Sequence, residues 1–84
     1  MYEVWLERQA ERAWRRLPEA VSRRVTRAIR ALASDPRPPN CRKLVGSEND
    51  WRIRVGDYRV IYEIDDDYRQ VRVMFISHRR DAYR

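Results

Sequence analysis

The stretch WRIRVGDYRVIYEI, residues 51–64, constrains the fold more than any other part of the chain. Apolar and polar side chains alternate on both sides of Gly56-Asp57, a residue pair that is typical of two-residue hairpin turns. A turn at these residues places Arg54 opposite Arg59, and residues that face each other share a side of an antiparallel sheet. The alternation and the turn predict the same register independently. The sequence therefore predicts a hairpin with one apolar side and one side rich in arginine.

The two sides of this hairpin are expected to have different roles. The side that packs on the rest of the chain consists of Trp51, Ile53, Val55, Tyr58, Val60, Tyr62 and Ile64. The other side carries Arg52, Arg54 and Arg59. Like charges that face each other across strands cost roughly 0.2–1 kcal/mol. A bound polyanion therefore explains the cluster better than the alternative, a solvated sheet face that uses arginine for solubility.

The rest of the chain completes an α+β domain. YEVWL near the start is typical of a strand, and apolar residues spaced by three or four then predict two helices separated at Pro18. A proline-rich crossing, residues 34–40, leads to further strands at RKLVG and QVRVMFISH. We predict a single domain, residues 1–84, in the order β-α-α-β-β-β. It has an N-terminal strand, a helical hairpin, and an antiparallel meander of three or four strands packed on the helices.

The last strand is expected to continue the two-sided pattern. Alternation assigns Val71, Val73 and Phe75 to the core. The residues between and after them fall on the arginine side: Arg72, Met74, Ile76 and His78. Pairing of Ile64 with Val71 then places Glu63 beside Arg72, and the same register places Arg59 beside Ile76. His78 and the tail that follows it are thereby brought to the arginine cluster.

Arginine dominates the charge of the chain. The net charge is +6, and among the 19 basic residues only Lys43 is not arginine. Arginine grips phosphate bidentately and stacks on bases, which suits nucleic acid, although an arginine-favouring genome explains the overall bias equally well. The single cysteine, Cys41, excludes an internal disulfide and fits a reducing cytoplasm. No long apolar run indicates a membrane segment.

These residues supply the chemistry for cleaving RNA without a metal. Arginine stays protonated in proteins, and it stabilises the extra negative charge of a phosphate under attack. The 2′-hydroxyl of RNA can act as the nucleophile. Because arginine stays protonated, the candidates for proton transfer are His78 and Tyr83. The acidic run Asp65–Asp67 coincides with a predicted turn. We therefore predict no metal and no other cofactor.

In order along the chain, KL, WRIRVGDYRVIY and HRRDAY together resemble the RelE branch of the RelE/ParE superfamily of toxins from type II toxin–antitoxin modules. The resemblance covers nearly the whole chain and implies the same α+β fold. It also implies an mRNA interferase, a ribosome-dependent endoribonuclease that enters the ribosomal A site and inhibits translation. Attack of the 2′-hydroxyl on the adjacent phosphate would leave a 2′,3′-cyclic end.

The resemblance also implies roles for individual residues. Arg52 and Arg54 occupy two basic positions near the attacking hydroxyl that are often lysine in the family, and arginine is less able to act as a base. Arg59 matches the phosphate-stabilising arginine. Arg79 best matches the tail arginine, with Arg80 as the alternative because spacing in the tail varies between members. Tyr83 matches the C-terminal tyrosine that stacks on a base and is a candidate for proton transfer. The remaining candidates for RNA binding are Lys43, Arg80 and Arg84.

A cognate antitoxin, acidic and RelB-like or similar, is the partner that the resemblance implies. It would cover the basic surface, and promoter DNA would be bound only through the toxin–antitoxin complex. Two other functions stay open on the same scaffold. One is a ParE-like inhibitor of DNA gyrase, and the other is an inactive module that binds an antitoxin or nucleic acid. We expect a cytoplasmic protein that acts on the ribosome and mRNA.

Overall fold

A computed structural model describes residues 1–81, in which two helices and five strands follow the predicted order. The elements are β1 (Glu3–Leu6), α1 (Arg8–Arg15), α2 (Glu19–Ala31), β2 (Cys41–Lys43), β3 (Asp50–Val55), β4 (Tyr58–Asp65) and β5 (Gln70–His78). The strands form one sheet in the order β1-β5-β4-β3-β2. β1 runs parallel to β5, and the other pairs are antiparallel. The α+β prediction is confirmed, with a meander of four strands.

Pro18 separates the two helices. Its φ of −55° places it directly before α2, where the missing N–H of proline costs no helical hydrogen bond. Trp14 of α1 donates a hydrogen bond of 2.8 Å to the hydroxyl of Thr26 in α2, which fixes one helix against the other. Neither helix in residues 1–81 has the length and apolar character that a membrane crossing requires.

The core lies between the helices and one face of the sheet, which we call the helix side. Its fully or nearly fully buried members are Ala10, Val25, Ile29, Leu32, Ile53, Val60, Tyr62, Ile64, Val71, Val73 and Ile76. The phenol of Tyr62 donates a hydrogen bond of 2.7 Å to the carbonyl of Pro36, and burial raises the pKa of this phenol. The contact ties the proline-rich crossing to the sheet. The opposite side of the sheet, which neither helix of residues 1–81 covers, is called the open face below.

The β3–β4 hairpin has the predicted register throughout. Val55 pairs with Tyr58 across the turn, Arg54 pairs with Arg59, and every further pair to Trp51 and Tyr62 follows. Gly56 has a φ of +59°, a left-handed conformation that glycine adopts without strain. The turn and the alternation act locally and agree, which explains why this part of the fold was predictable.

The prediction for the second half of β5 is wrong, because a β-bulge interrupts its pairing with β4. Tyr62 pairs with Val73, as the alternation requires, but Ile61 pairs with Phe75, so Met74 is an extra residue. Ile76 is therefore buried, at 6% exposure, whereas Phe75 is 49% exposed. Arg59 pairs with Ser77 instead of Ile76. The earlier pairs of Ile64 with Val71 and of Glu63 with Arg72 are as predicted.

The bulge also moves His78. It pairs with Tyr58, a residue of the helix side, and not with the arginines of the open face. The imidazole meets the Tyr58 ring edge-on, with ring centroids 5.1 Å apart. One inserted residue reverses the side of the sheet for every later position in a strand. The predicted placement of His78 beside Arg52, Arg54 and Arg59 is therefore wrong.

Candidate functional site

Two of the arginines of the open face meet at the end of the sheet next to the β3–β4 turn. Arg54 of β3 and Arg59 of β4 are direct cross-strand partners, and Arg54 is exposed while Arg59 is half-buried. The Nε atom of Arg59 is buried and has no hydrogen-bond partner within residues 1–81. A buried donor without a partner costs about 1–3 kcal/mol. The terminal nitrogens of the same guanidinium can donate to an anion.

The tail after β5 returns to the same turn. The backbone N–H of Arg79 donates a hydrogen bond of 2.7 Å to the carbonyl of Asp57. The Arg79 guanidinium lies 4.0 Å from the Asp57 carboxylate, and both side chains are largely exposed. The backbone contact therefore does more than the charge pair to hold the tail at the turn. Arg79 and the following Arg80 are thereby placed beside the hairpin arginines.

Together the hairpin and the tail form an open cavity of about 540 Å³, which we call the arginine cavity. Its lining residues are Arg54, Gly56, Asp57, Tyr58, Arg59, Arg79 and Arg80. Among these lining residues, four guanidinium groups face a single carboxylate, that of Asp57. Guanidinium groups bind phosphate oxygens through paired, charge-assisted hydrogen bonds. The cavity has the charge and the donors to bind a phosphate group of a polyanion.

His78 supports this cavity and is not among its lining residues. Its Nδ1 atom accepts a hydrogen bond of 3.1 Å from the backbone N–H of Arg80. The edge-on contact with Tyr58 holds the ring from the other side. These two contacts indicate that His78 orients the tail and Tyr58. Tyr58 was not predicted as a lining residue, because its apolar register assigned it to the core alone.

Arg52 lies two residues further from the turn than Arg54, in the next row of the open face. It lines a second open depression, of about 780 Å³, together with Arg42, Lys43 and Arg54. Lys43 pairs with Trp51, so the register places it on the helix side, at the exposed edge strand β2. Arg42 pairs with Arg52 and is exposed on the open face. Arg42 was not predicted as a site residue. The signal that could have identified it is the apolar Cys41 before it, because alternation from Cys41 assigns Arg42 to the arginine side.

Tyr83 and Arg84, which were predicted to complete the site, lie outside the described residues. The predicted residues that the structure brings together are Arg54, Arg59, Arg79 and Arg80 in the arginine cavity, with Arg52 in the adjacent depression. His78 and Lys43 are near these arginines but on the other side of the sheet by register.

Two arginines outside the arginine cavity, Arg72 of β5 and Arg37 of the proline-rich crossing, are paired with carboxylates. Arg72 lies 3.2 Å from Glu7 and 3.0 Å from Glu63. Arg37 contacts both carboxylate oxygens of Asp66, at 3.3 and 2.8 Å, and Asp66 also accepts a hydrogen bond of 2.6 Å from the Tyr2 phenol. The contact with Arg37, followed by that with Tyr2, lowers the pKa of Asp66. The acidic run Asp65–Asp67 therefore lies at the end of β4 and in the turn that follows, and its central carboxylate binds Arg37.

Comparison with known proteins relates this chain and its fold to a toxin family. A family model described as the ParE toxin of the type II toxin–antitoxin system, parDE, matches residues 4–83. A chain of the archaeal RelE–RelB complex from Pyrococcus horikoshii OT3 is similar, with 30% sequence identity and a TM-score of 0.83. That match covers 93% of this chain and 94% of the other. A search of curated protein sequences found no match.

Two further solved structures are similar in fold. The toxin–antitoxin complex RelBE2 from Mycobacterium tuberculosis has 25% identity and a TM-score of 0.81, with 92% of this chain and 96% of that chain covered. The isolated E. coli RelE toxin has 22% identity and a TM-score of 0.83, with 93% and 84% covered. Because the family model spans nearly the whole chain and a solved relative reaches 30% identity over almost its full length, this chain belongs to the RelE/ParE superfamily of toxins from type II toxin–antitoxin modules.

Proposed function

We propose that this toxin is an mRNA interferase, a ribosome-dependent endoribonuclease that inhibits translation by cutting mRNA in the ribosomal A site. The observation that carries the proposal is the arginine cavity, where Arg54, Arg59, Arg79 and Arg80 converge on a space of about 540 Å³. Four guanidinium groups beside one carboxylate are suited to a phosphate that gains negative charge during a reaction. The similarity to RelE chains at 25–30% identity supports this branch of the superfamily.

The proposed reaction is a transesterification within the RNA. The 2′-oxygen loses its proton and bonds to the adjacent phosphorus, while the bond from phosphorus to the 5′-oxygen breaks. The products are a 2′,3′-cyclic phosphate and a 5′-hydroxyl, and the leaving 5′-oxygen takes up a proton. Arg59, half-buried with one donor unsatisfied within residues 1–81, binds the reacting phosphate. Arg54 and Arg79 flank it and stabilise the charge of the transition state.

Proton transfer is assigned to a residue other than the arginines, since arginine stays protonated. The two candidates are His78 and Tyr83. The Nδ1 atom of His78 already accepts a hydrogen bond from Arg80, so only its Nε2 atom is available for proton transfer. This arrangement favours Tyr83 for transfer and His78 for orienting the tail. Arg52, Lys43 and Arg84 are proposed to bind the RNA backbone on either side of the cleaved bond, together with Arg80.

The proposed partner is a cognate antitoxin of acidic character, RelB-like or similar. The similar chains from Pyrococcus horikoshii and Mycobacterium tuberculosis were solved as complexes with antitoxins. A chain with net charge +6 attracts an acidic, partly disordered segment, which would cover the arginine cavity and block access of RNA. Promoter DNA would be bound through the complex, and the ribosome as target places the activity in the cytoplasm.

The test is cleavage of translated mRNA by purified protein, with Arg59→Ala compared with Arg12→Ala. Arg12 is an exposed arginine of α1, so its removal changes the net charge equally without touching the cavity. Loss of one preorganised donor to a reacting oxyanion costs about 10²–10³ in rate. We expect that loss for Arg59→Ala and near wild-type cleavage for Arg12→Ala. Intact mRNA in the presence of arrested ribosomes would rule out the proposed reaction.

A ParE-like inhibitor of DNA gyrase is the second candidate, because the matching family model is that of the ParE toxin. The same variants separate the two functions. A gyrase inhibitor should keep its toxicity in Arg59→Ala and should change DNA supercoiling while mRNA stays intact. Growth without arrest when the toxin is expressed alone would instead indicate an inactive binding module.

A further inference from the structure

The β-bulge in β5 turns a phenylalanine out of the core and onto the open face. Phe75 is 49% exposed, although β5 lies between two other strands of the sheet. The neighbouring Ile76 fills the core position that an unbroken alternation would give to Phe75. Bulges commonly re-aim a side chain next to a functional site. The exposed ring therefore needs an explanation in terms of what it contacts outside the fold.

Phe75 belongs to the same cross-strand row as two arginines. Along this row Phe75 pairs with Ile61, Ile61 pairs with Arg52, and Arg52 pairs with Arg42. Neighbouring strands are about 4.8 Å apart, so the row forms a continuous strip with apolar side chains at one end and cations at the other. Ile61 is half-buried and extends the apolar surface beside the ring. We call Phe75 and Ile61 the apolar platform.

The next row connects the apolar platform to the arginine cavity. Arg59 pairs with Ser77, so Phe75 is the diagonal neighbour of Arg59, at a typical distance of roughly 7–8 Å. The residue between them on the open face, Ser77, has a small side chain. A nucleotide whose phosphate bound Arg59 would have its base within reach of the Phe75 ring.

The other side of the apolar platform carries no comparable attraction for phosphate. There Arg72 is neutralised by Glu7 and Glu63. Its guanidinium lies 5.9 Å from the ring centroid of Trp5, the exposed aromatic of the edge strand, so that ring already has a cation over it. Within residues 1–81, no such contact involves Phe75. The charge distribution thus favours a phosphate on the Arg59 side and a base on Phe75.

We propose that Phe75 stacks on an unpaired base of the RNA, next to the phosphate held in the arginine cavity. Every nucleobase has an aromatic face, and stacking on an exposed ring is the usual way in which proteins bind single-stranded RNA. The inference rests on the proposed function and adds to it a base-binding position. Phe75 is a positioning residue: it fixes the nucleotide beside the reacting phosphate and takes no part in proton transfer.

The test uses the full-length protein and a fluorescent hexanucleotide with 2′-O-methyl groups, which binds without being cleaved. Phe75→Ala should weaken binding by roughly 5- to 150-fold, the range that stacking of one base accounts for. Phe75→Trp should restore binding, and Phe75→Leu, which keeps an apolar side chain without the aromatic face, should not. Tyr68→Ala is the matched control, since Tyr68 is an aromatic residue with 78% exposure in the turn after β4.

A set of hexanucleotides with one abasic position each identifies the stacked base. At that position, the abasic RNA should bind wild-type protein and Phe75→Ala equally weakly, because the same contact is lost from either side.

If wild-type protein cleaves mRNA on ribosomes but Phe75→Ala binds every RNA normally, the stacking role is wrong and the proposed function stands. If RNA binding is unchanged and only association with a RelB-like antitoxin weakens, the apolar platform is a protein contact, which also overturns the inference. If wild-type protein cleaves no mRNA on ribosomes, the proposed function is wrong, and the inference that rests on it is overturned as well.

Discussion

At the scale of single residues, His78 shows how one hydrogen bond assigns a role. Its Nδ1 atom accepts the backbone N–H of Arg80, so the proton of the neutral ring is on Nε2. This contact suits the imidazole to holding the tail in place. Substitutions that imitate one ring nitrogen or the other can distinguish this orienting role from a role in proton transfer.

We expect His78→Asn to keep most of the cleavage activity and His78→Gln to lose more. The Oδ1 atom of asparagine takes roughly the place of Nδ1 and can accept from Arg80, whereas the glutamine oxygen takes the place of Nε2. The lost hydrogen bond is worth about 0.5–1.5 kcal/mol, so His78→Gln should reduce cleavage by roughly 2- to 12-fold. The measurement is the rate of cleavage of ribosome-bound mRNA. A loss of roughly 10²–10⁴ in both variants would identify His78 as the proton-transfer group instead.

At the scale of elements, the β-bulge in β5 decides which side chains reach the open face. Val73 and Ile76 are both core residues, and two residues lie between them where regular alternation has one. Met74 is half-buried and has no partner of its own on β4. Its removal would leave Val73, Phe75 and Ile76 alternating regularly on the sides that they already occupy. The bulge thus makes this strand unusually tolerant of one particular deletion.

Deletion of Met74 should destabilise the protein less than deletion of Arg72. Without Arg72, regular alternation would turn Val73 to the open face and place Met74 in its core position, and turning one valine to solvent costs about 1.5–3 kcal/mol. Arg72→Ala is the control, because it removes the ion pairs with Glu7 and Glu63 without shifting the register. The measurement is the free energy of unfolding from denaturant titration. Equal destabilisation by the two deletions would contradict the role given to Met74.

At the scale of the whole molecule, one ionic contact joins segments that are far apart in the chain. Asp66 in the turn after β4 binds Arg37 of the proline-rich crossing and Tyr2 at the N-terminus. Arg37 also lies over the ring of Trp51, at 5.1 Å from its centroid. The pKa of Asp66 is lowered by these partners, while its hydrogen bond raises the pKa of Tyr2. The contact therefore stabilises the fold only while Asp66 is ionised and Tyr2 is protonated.

The melting temperature of Asp66→Asn should be lower than that of the wild-type protein at pH 7. The two melting temperatures should converge in acid. Because the folded-state pKa of Asp66 lies below its ordinary value of 3.8, its contribution is complete above pH 3.8. It is lost as the pH falls through the lowered value. Thermal unfolding of both proteins between pH 7 and pH 2 provides the measurement, with Asp67→Asn as the control in the same turn. A difference that persists unchanged to pH 2 would show that the effect is not due to the carboxylate charge.

Local signals determined much of this molecule. The Gly56-Asp57 turn and the alternation around it specify the β3–β4 hairpin and its facing arginines, because neighbouring residues supply both the turn and the register. Pro18 and the apolar spacing likewise specify the two helices. For the same reason Arg54 and Arg59 are recognisable as a pair from the amino-acid sequence alone.

Tertiary structure decided what lies around that pair. The bulge at Met74 forms because core packing requires Val73 and Ile76 on the same side, and no local pattern in β5 distinguishes it from regular alternation. The return of Arg79 to Asp57 depends on the pairing of β5 with β4, whereas the support of Arg80 by His78 is a local contact. The sequence by itself therefore determined the hairpin and its arginines. The register also predicted that the tail comes near these arginines, but long-range packing decided how the turn holds it, moved His78 away from the open face and exposed Phe75 on it.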